Sequence, residues 1–425
     1  MPLLGQQQPL DVHPLFDGDA VHEIRLTFSE PGWYEQLRAN FEGRADPVYM
    51  EAGFDWGDIH YDRIGIRFKG NSSYRSYPGQ KKSFKIKLNE FVKGQKIQGI
   101  DSFALNNAFK DPSFVREKVY YELAAAIGLP APRVNYAAVS INGEFWGLYF
   151  LVEGVDGAFI ESRFGKKEKG NLYKGDPQGT LQFRGNTAAP YKTLYERENN
   201  EDNDDWSDLV TLIDTLNNRD LGSLGEILDI EAALKFLALD ILTVNLDSYV
   251  GSGHNYYLYR RESDRRFITF PWDPNEAWGN FNLGMQIDQL RRLPLQFAPG
   301  PPNPPPGAPP PPPQQQNPRP LSQKLWADPE LAAVYRARIR EMLEGPAHPD
   351  TLIARMLLLR DLVRPWVERD TKKMFPTAQF ESSFTEDFLP RPPGPGSPPM
   401  PVMPIPGLEP FIRQRAAFLG PLVEN

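Results

Sequence analysis

Asp247, Asn255 and Asp273 lie in one stretch, Ala238 to Gly279, which reads ALDILTVNLDSYVGSGHNYYLYRRESDRRFITFPWDPNEAWG. Two carboxylates and an amide of this kind suit binding of a hard divalent cation, and a carboxylate beside such a cation suits activation of a hydroxyl. Asp247 follows an apolar run, Asn255 precedes the aromatic strand Tyr256 to Arg260, and Asp273 follows a strand from Arg266 to Pro271. The three side chains are thereby delivered at the ends of rigid elements. Asp, Asn and Gly after apolar runs are also ordinary turn residues, and a strand-turn-strand hairpin uses them with no site at all.

A second group of chemistry-bearing residues is basic. The run Ile64 to Phe68 leads into Lys69-Gly70-Asn71-Ser72-Ser73, and a loop then leads to Lys81-Lys82-Ser83-Phe84-Lys85-Ile86-Lys87-Leu88. A period of two puts Phe84, Ile86 and Leu88 on one face and Ser83, Lys85 and Lys87 on the other. With Lys69, Asn71 and Ser72 alongside, these ammonium, N–H and hydroxyl donors read as a cradle for polyphosphate. The same pattern also fits a solvated strand face.

Asp111-Pro112-Ser113 signals a helix start, with Ser113 a cap, and the helix runs to about Ile127 before Gly128-Leu129-Pro130. Val115, Val119, Tyr120, Leu123, Ala126 and Ile127 form one apolar face with Arg116 in its middle. A buried guanidinium needs a partner, so Arg116 must meet a carboxylate or a bound phosphate. Glu117, just past the edge of that face, is the other charged candidate.

The elements that position these groups follow in order. Val21 to Phe28 alternates as a half-buried strand, Trp33 to Phe41 makes a short helix, and Val134 to Ile141 and Glu144 to Val152 flank Asn142-Gly143, a strong hairpin signal. The second hairpin strand ends at Glu153-Gly154-Val155-Asp156. Helices are expected over 209–217, 230–242, 328–343, 350–374 and 411–418. ENNEDNDDWSD, from Glu198 to Asp208, lacks the ligand spacing of a calcium loop and reads as a solvated insertion.

At 425 residues with 40% hydrophobic content the chain builds a large core, and a net charge of −8 argues against a general nucleic-acid binder. The absence of Cys excludes disulfides and thiolate chemistry, and the five His residues show no zinc-hydrolase spacing. With no long apolar run and no basic-then-apolar N-terminus, the chain reads as soluble, without a membrane span or signal peptide. Residues 1–18 read as a flexible leader. Pro-rich tracts at 298–320 and 390–410 cannot build a core, and read as spacers or as ligands for SH3-like partners.

LTVNLDSY, HNYYLYR, FPWDPNEAWG, RFKGNSS, KKSFKIKL and GNLYK together resemble the signature blocks of the CotH family of spore-coat-type atypical protein kinases, over roughly Val21 to Gly279. The resemblance implies an α+β, protein-kinase-like two-lobed fold, with a β-rich N-lobe over 19–156 and a helical C-lobe over 157–425. It implies ATP and Mg²⁺ or Mn²⁺ as cofactors and a protein Ser or Thr hydroxyl as acceptor. Asp247 would be the catalytic base, Lys85 or failing that Lys87 would meet the phosphates, Asn255 and Asp273 would hold the metal, and Glu153 would lie near the nucleotide. An extracytoplasmic or cell-surface setting is implied as well. Two departures stand out. Asn255 follows Asp247 by eight positions, with no HRD or DFG tripeptide, and Asn275 stands where the family often has a second Asp. An assembly scaffold of the same fold with weak or no catalysis, and transfer of AMP instead of phosphate, are the alternative readings.

Overall fold

The computed structural model describes residues 12–43, 48–299, 318–390 and 403–424. Most of the Pro-rich tracts, and the first eleven residues of the expected leader, lie outside these. The first third comprises β1 (Val21–Thr27), α1 (Trp33–Glu42), β2 (Met50–Trp56), β3 (Ile59–Lys69), a single turn α2 (Ser72–Arg75), β4 (Ser83–Lys87), β5 (Ser102–Asn106), α3 (Arg116–Ala126), β6 (Val134–Ile141) and β7 (Glu144–Glu153). Its seven strands close into a barrel in the order β1-β2-β3-β4-β5-β7-β6, with β6 returning parallel to β1.

Side-chain alternation explains the barrel. Phe84, Ile86 and Leu88 fill its interior with Ile24, Phe54, Ile66 and Leu105. On β7, Tyr149 and Leu151 point into this interior while Leu148, Phe150 and Val152 join a second core outside it, so both faces of the strand are apolar. Asn142 and Gly143 both have positive φ (49° and 83°), the backbone of the tight hairpin turn that Asn-Gly favours.

The rest is largely helical: α4 (Gly157–Phe164), β8 (Leu172–Gly175), β9 (Tyr195–Arg197), α5 (Ser207–Asn218), α6 (Leu221–Ile227), α7 (Ile230–Thr243), β10 (Tyr256–Arg260), β11 (Phe267–Pro271), α8 (Ile287–Arg291), α9 (Pro320–Ala327), α10 (Pro329–Glu344), α11 (Pro349–Arg369), α12 (Thr377–Ser382) and α13 (Leu408–Val423). The strands make a second, antiparallel sheet in the order β11-β10-β8-β9. Helix α7 is apolar on nearly every face because α3, α10, α13 and β11 surround it. Asp229 caps it by accepting from the Ala232 N–H at 3.1 Å.

Buried polar links join the barrel to the helical part. Tyr120 on α3 donates to Asp240 on α7 at 2.6 Å, and Lys81, just before β4, pairs with Asp370 at the end of α11 at 2.6 Å. The fold is thus α+β, as expected, with a closed barrel as its β-rich part.

Candidate functional site

Helix α7 ends at Val244, whose φ of 50° is unusual for a β-branched residue. The chain then coils tightly: Leu246 O accepts from Ser252 N, and Ser248 O accepts from both Gly251 N and Gly253 N. A Cβ on Gly251 would lie 2.0 Å from Leu246 O, so only glycine fits there. The coil returns the chain so that His254 and Asn255 face Asp247. Asn255 Nδ2 reaches Asp247 Oδ2 at 3.2 Å and its main-chain carbonyl at 2.9 Å, while His254 Nε2 lies 3.0 Å from Oδ1.

Pairing of β10 with β11 then brings Asp273 to the same end of the hairpin. Tyr256 lies opposite Pro271, and the Trp272 N–H donates to Asn255 O at 3.0 Å. Asp273 has a φ of 49° and donates its N–H to Tyr121 Oη on α3 at 2.9 Å. Left-handed backbone at Val244, Asn255 and Asp273 concentrates strain around one point, as functional sites commonly do.

The barrel supplies the cations. On the outer faces of β3 and β4, Arg67 lies opposite Lys85 and Lys69 opposite Ser83. Lys69 Nζ donates to Asn106 Oδ1 at 2.8 Å, and the same amide donates to Glu117 Oε1 on α3 at 2.7 Å. Lys69 also lies 5.5 Å over the Trp272 ring. Burial pulls the Lys69 ammonium below its usual range, against the opposing charges of Asp273 and Glu117. Burial likewise lowers Lys85, against Asp156, which caps α4 by accepting from Ala158 N.

The carboxylates respond in the opposite sense. Burial and then the nearby Asp273 charge push Glu117 up to about 8, with Lys69 opposing them. Burial raises Asp273, and the Asp247 charge adds to it while Lys69 works against it. Burial also raises Glu276 to about 7, although Lys110 pairs with it at 2.9 Å. His254 is raised because its contact with Asp247 outweighs burial. Four carboxyl groups thus crowd one region. Glu117 Oε2 is buried there with no hydrogen-bond partner among the described residues.

The structure brings together Asp247, Asn255, Asp273 and Lys69, with Lys85 close enough to feel the Lys69 charge. It places five other expected residues elsewhere. Arg116 is fully buried and committed to Asp111 at 2.9 Å, Ser113 Oγ at 3.2 Å and Pro406 O at 3.0 Å, so it is a structural tie. The helix also begins later than expected, because Asp111 takes the N–H groups of Ser113 and Arg116 and Ser113 does not cap. Glu153 is held by Arg133 at 2.6 Å and Arg163 at 2.5 Å; burial pushes its carboxyl up, and these guanidiniums outweigh it. The acid whose charge Lys85 feels is Asp156, three residues on. Lys87 pairs with Glu90 at 3.2 Å and is 42% exposed. Asn71 and Ser72 are exposed on the turn α2 and not in an open loop. Asn275 donates to Phe109 O at 2.8 Å.

Sequence reasoning gave no role to Asn106, Tyr121, His254, Glu276 or Lys110. His254 and Glu276 lie inside the quoted blocks, where adjacency to Asn255 and Asp273 was the available signal. Asn106 and Lys110 carry no such signal, since Ala108 and Lys110 sit in left-handed backbone that no periodicity announces. An open cleft of about 360 Å³ lies against Tyr121, Glu122 and Arg355, and neither Asp247 nor Asp273 lines it. Its charged walls are already paired, Arg355 with Glu122 and with Asp19.

Among the described residues no three Asp, Glu or His side chains converge on a preformed metal cage. The available donors are the Asp273 carboxylate and Asn255 Oδ1, whose amide nitrogen is held by Asp247. Mg²⁺ commonly takes one or two carboxylates, with water and substrate phosphates completing its shell. A surplus of buried carboxylate beside two lysines therefore fits a cation that arrives with phosphate. The site lies at the junction of the closed barrel and the helical part.

Residues 66–386 match the family model described as CotH kinase protein, and the chain belongs to the CotH family. It is 29% identical over 238 residues to the inner spore coat protein H of Bacillus subtilis (strain 168), covering 54% of this chain and 63% of that protein. It is 24% identical over 205 residues to the spore coat protein homolog 1 of Rhizopus delemar, covering 47% and 33%. It is 23% identical over 212 residues to the invasin CotH2 of the same fungus, covering 44% and 34%. The chain thus spans less than two thirds of the length of each of these relatives. No helix among the described residues is long and apolar enough to cross a membrane.

Proposed function

We propose that this chain is a metal-dependent protein kinase, transferring the terminal phosphoryl group of ATP to a Ser or Thr hydroxyl. The observation that carries this reading is the return of Asp273 beside Asn255 and Asp247, facing Lys69. Bound Mg²⁺–ATP, or its Mn²⁺ counterpart, would supply the transferable group and neutralise its oxygens. Asp273 and Asn255 Oδ1 would hold the metal, and Lys69 and Lys85 would meet phosphate oxygens. Asp247, oriented by Asn255 and His254, would accept the proton of the attacking hydroxyl, each of its oxygens keeping a second lone pair. Glu117, sharing the Asn106 amide with Lys69, would orient that lysine as the helix glutamate of protein kinases does. The order of barrel, helix, hairpin and helical part supports a kinase-like two-lobed plan.

A scaffold reading draws on the coat-protein names of two relatives and on Asn275, which brings no charge to the site. The names also favour a coat or cell-surface setting. Incubation with γ- and α-labelled ATP and Mg²⁺ or Mn²⁺, with the chain itself and casein as acceptors, separates the readings. Label from the γ position supports a kinase, label from the α position indicates AMP transfer, and no label from either leaves the scaffold.

A further inference from the structure

The loop between Asp247 and Asn255 is held from beneath by a residue far along the chain. Arg319, immediately before α9, is fully buried, and its Nε donates to Tyr249 O at 2.5 Å while its Nη2 donates to Gly251 O. The same segment reinforces the contact: Leu321 N donates to Tyr249 Oη at 3.0 Å, and Pro318 O accepts from Gln182 at 3.3 Å. Gly253, with a φ of 81°, lets the guanidinium approach so closely that a Cβ there would lie 3.2 Å from Nη2. The loop's main-chain bonds from Ser252 N to Leu246 O and from Gly251 N and Gly253 N to Ser248 O are internal, and Tyr249 Oη donates outward to Thr180 O at 3.4 Å. They fix its curl, and the buried Leu246, Tyr249 and Val250 seat that curl on the core. Arg319 fastens it to the α9 segment.

We propose that Arg319 is a positioning residue for the site: its planar fork sets the height and tilt of the loop that presents Asp247, His254 and Asn255. A guanidinium suits this task because its donors are rigidly spaced, so two carbonyls two residues apart are fixed relative to one another. This deepens the kinase reading and rests on it for its catalytic consequence. The placement of the loop itself is a matter of geometry. A displacement of about 1 Å in a reacting constellation can cost on the order of 10²-fold in rate. Metal and nucleotide affinity, which Asp273, Lys69 and Lys85 also supply, should change far less. Loss of Arg319 should therefore appear mainly in kcat, with a smaller change in KM for ATP because Asn255 sits on the same loop.

The test compares the full chain with Arg319→Met and Arg319→Lys. Two readouts are taken: labelled phosphate transfer from Mg²⁺–γ-labelled ATP, and the NMR signals of the imidazoles, with His254 assigned through His254→Gln. In Arg319→Met the His254 signal should move while those of His13 and His22, in and beside the barrel, stay in place. Its kcat should fall by a larger factor than KM for ATP rises, and Arg319→Lys, which keeps the charge but not the fork, should fall between. A wild type that transfers no label overturns the kinase reading, and the His254 signal then decides on Arg319 alone. Unchanged His254 signal and turnover in Arg319→Met, or equal movement of all the imidazole signals in both variants, would overturn the positioning role. Should Arg319→Met fail to fold, Arg319→Lys decides by the same two readouts.

Discussion

Arg116 and Glu117 are neighbours at the start of α3, both buried, and their surroundings differ in kind. Arg116 faces Asp111, Ser113 and a main-chain carbonyl, and its charge is met by one carboxylate at 2.9 Å. Glu117 faces Asn106, Lys69 and the like charge of Asp273, and its carboxyl is pushed up to about 8. The first is a closed knot that ties the helix to Pro406; the second belongs to a region with more acid than base. A balanced buried pair serves the fold, whereas a surplus of one sign is tolerated where a counter-charge arrives from outside.

The largest expected effect tests the balanced side. Arg116→Leu leaves Asp111 buried and uncompensated, and should cost about 3–5 kcal/mol of stability by chemical denaturation. Phosphate transfer per folded molecule should be retained, because the guanidinium touches nothing in the site. A variant as stable as wild type but inactive would move Arg116 back into the catalytic machinery.

Asp247→Asn tests the other side. It removes a proton acceptor from a region of excess negative charge, so transfer should fall by roughly 10²-fold or more while the melting temperature holds or rises. Full turnover in that variant would end the assignment of Asp247 as the base.

The two lysines of β4 sharpen the contrast further. Lys85→Met should weaken Mg²⁺–ATP binding by about 1.5–3 kcal/mol, the scale of a hydrogen bond to a charged group. Lys87→Met, at a partly exposed pair with Glu90, should change binding and stability by less than about 0.5 kcal/mol. Calorimetric titration of both variants decides, and equal losses would show that the phosphate-facing lysine is misassigned.

A further test reads a slope with pH. Because the folded Glu117 pKa lies above its ordinary 4.5, the folded state favours the protonated carboxyl. That stabilisation is fully present below about pH 4.5 and is lost as pH rises through about 8. With a chelator present, Glu117→Gln should gain stability relative to wild type as pH goes from 5 to 8. A constant difference across that range would show that Glu117 is ionised throughout.

Much of the frame was legible in the residues. Period-two alternation in Phe84, Ile86 and Leu88 gave the core-facing side of β4, Asn142-Gly143 gave the hairpin, and the helix expected over 230–242 appears as α7. The helices expected at 328–343 and 350–374 appear at Pro329–Glu344 and Pro349–Arg369, the second shorter because Asp370 leaves the helix to receive Lys81. Side-chain period is a local property, so local sequence carries it.

Pairing is not local, and tertiary structure decided it. The sequence allowed Arg116 or Glu117 to face the site; Asn106 at the end of β5 and Asp111 in the connection from β5 to α3 settled which. Glu153 was the acid expected at the end of β7, but Arg133 and Arg163 close on it, and Asp156 is the acid whose charge acts on Lys85. Asp247 and Asp273 could be read as candidates from their types and placement at the ends of apolar runs. Their meeting depended on hairpin register, on left-handed backbone at Asn255 and Asp273, and on Arg319 closing from beyond a Pro-rich tract. Charges act through space and backbone strain needs surrounding support, so neither leaves a pattern that a linear reading can follow.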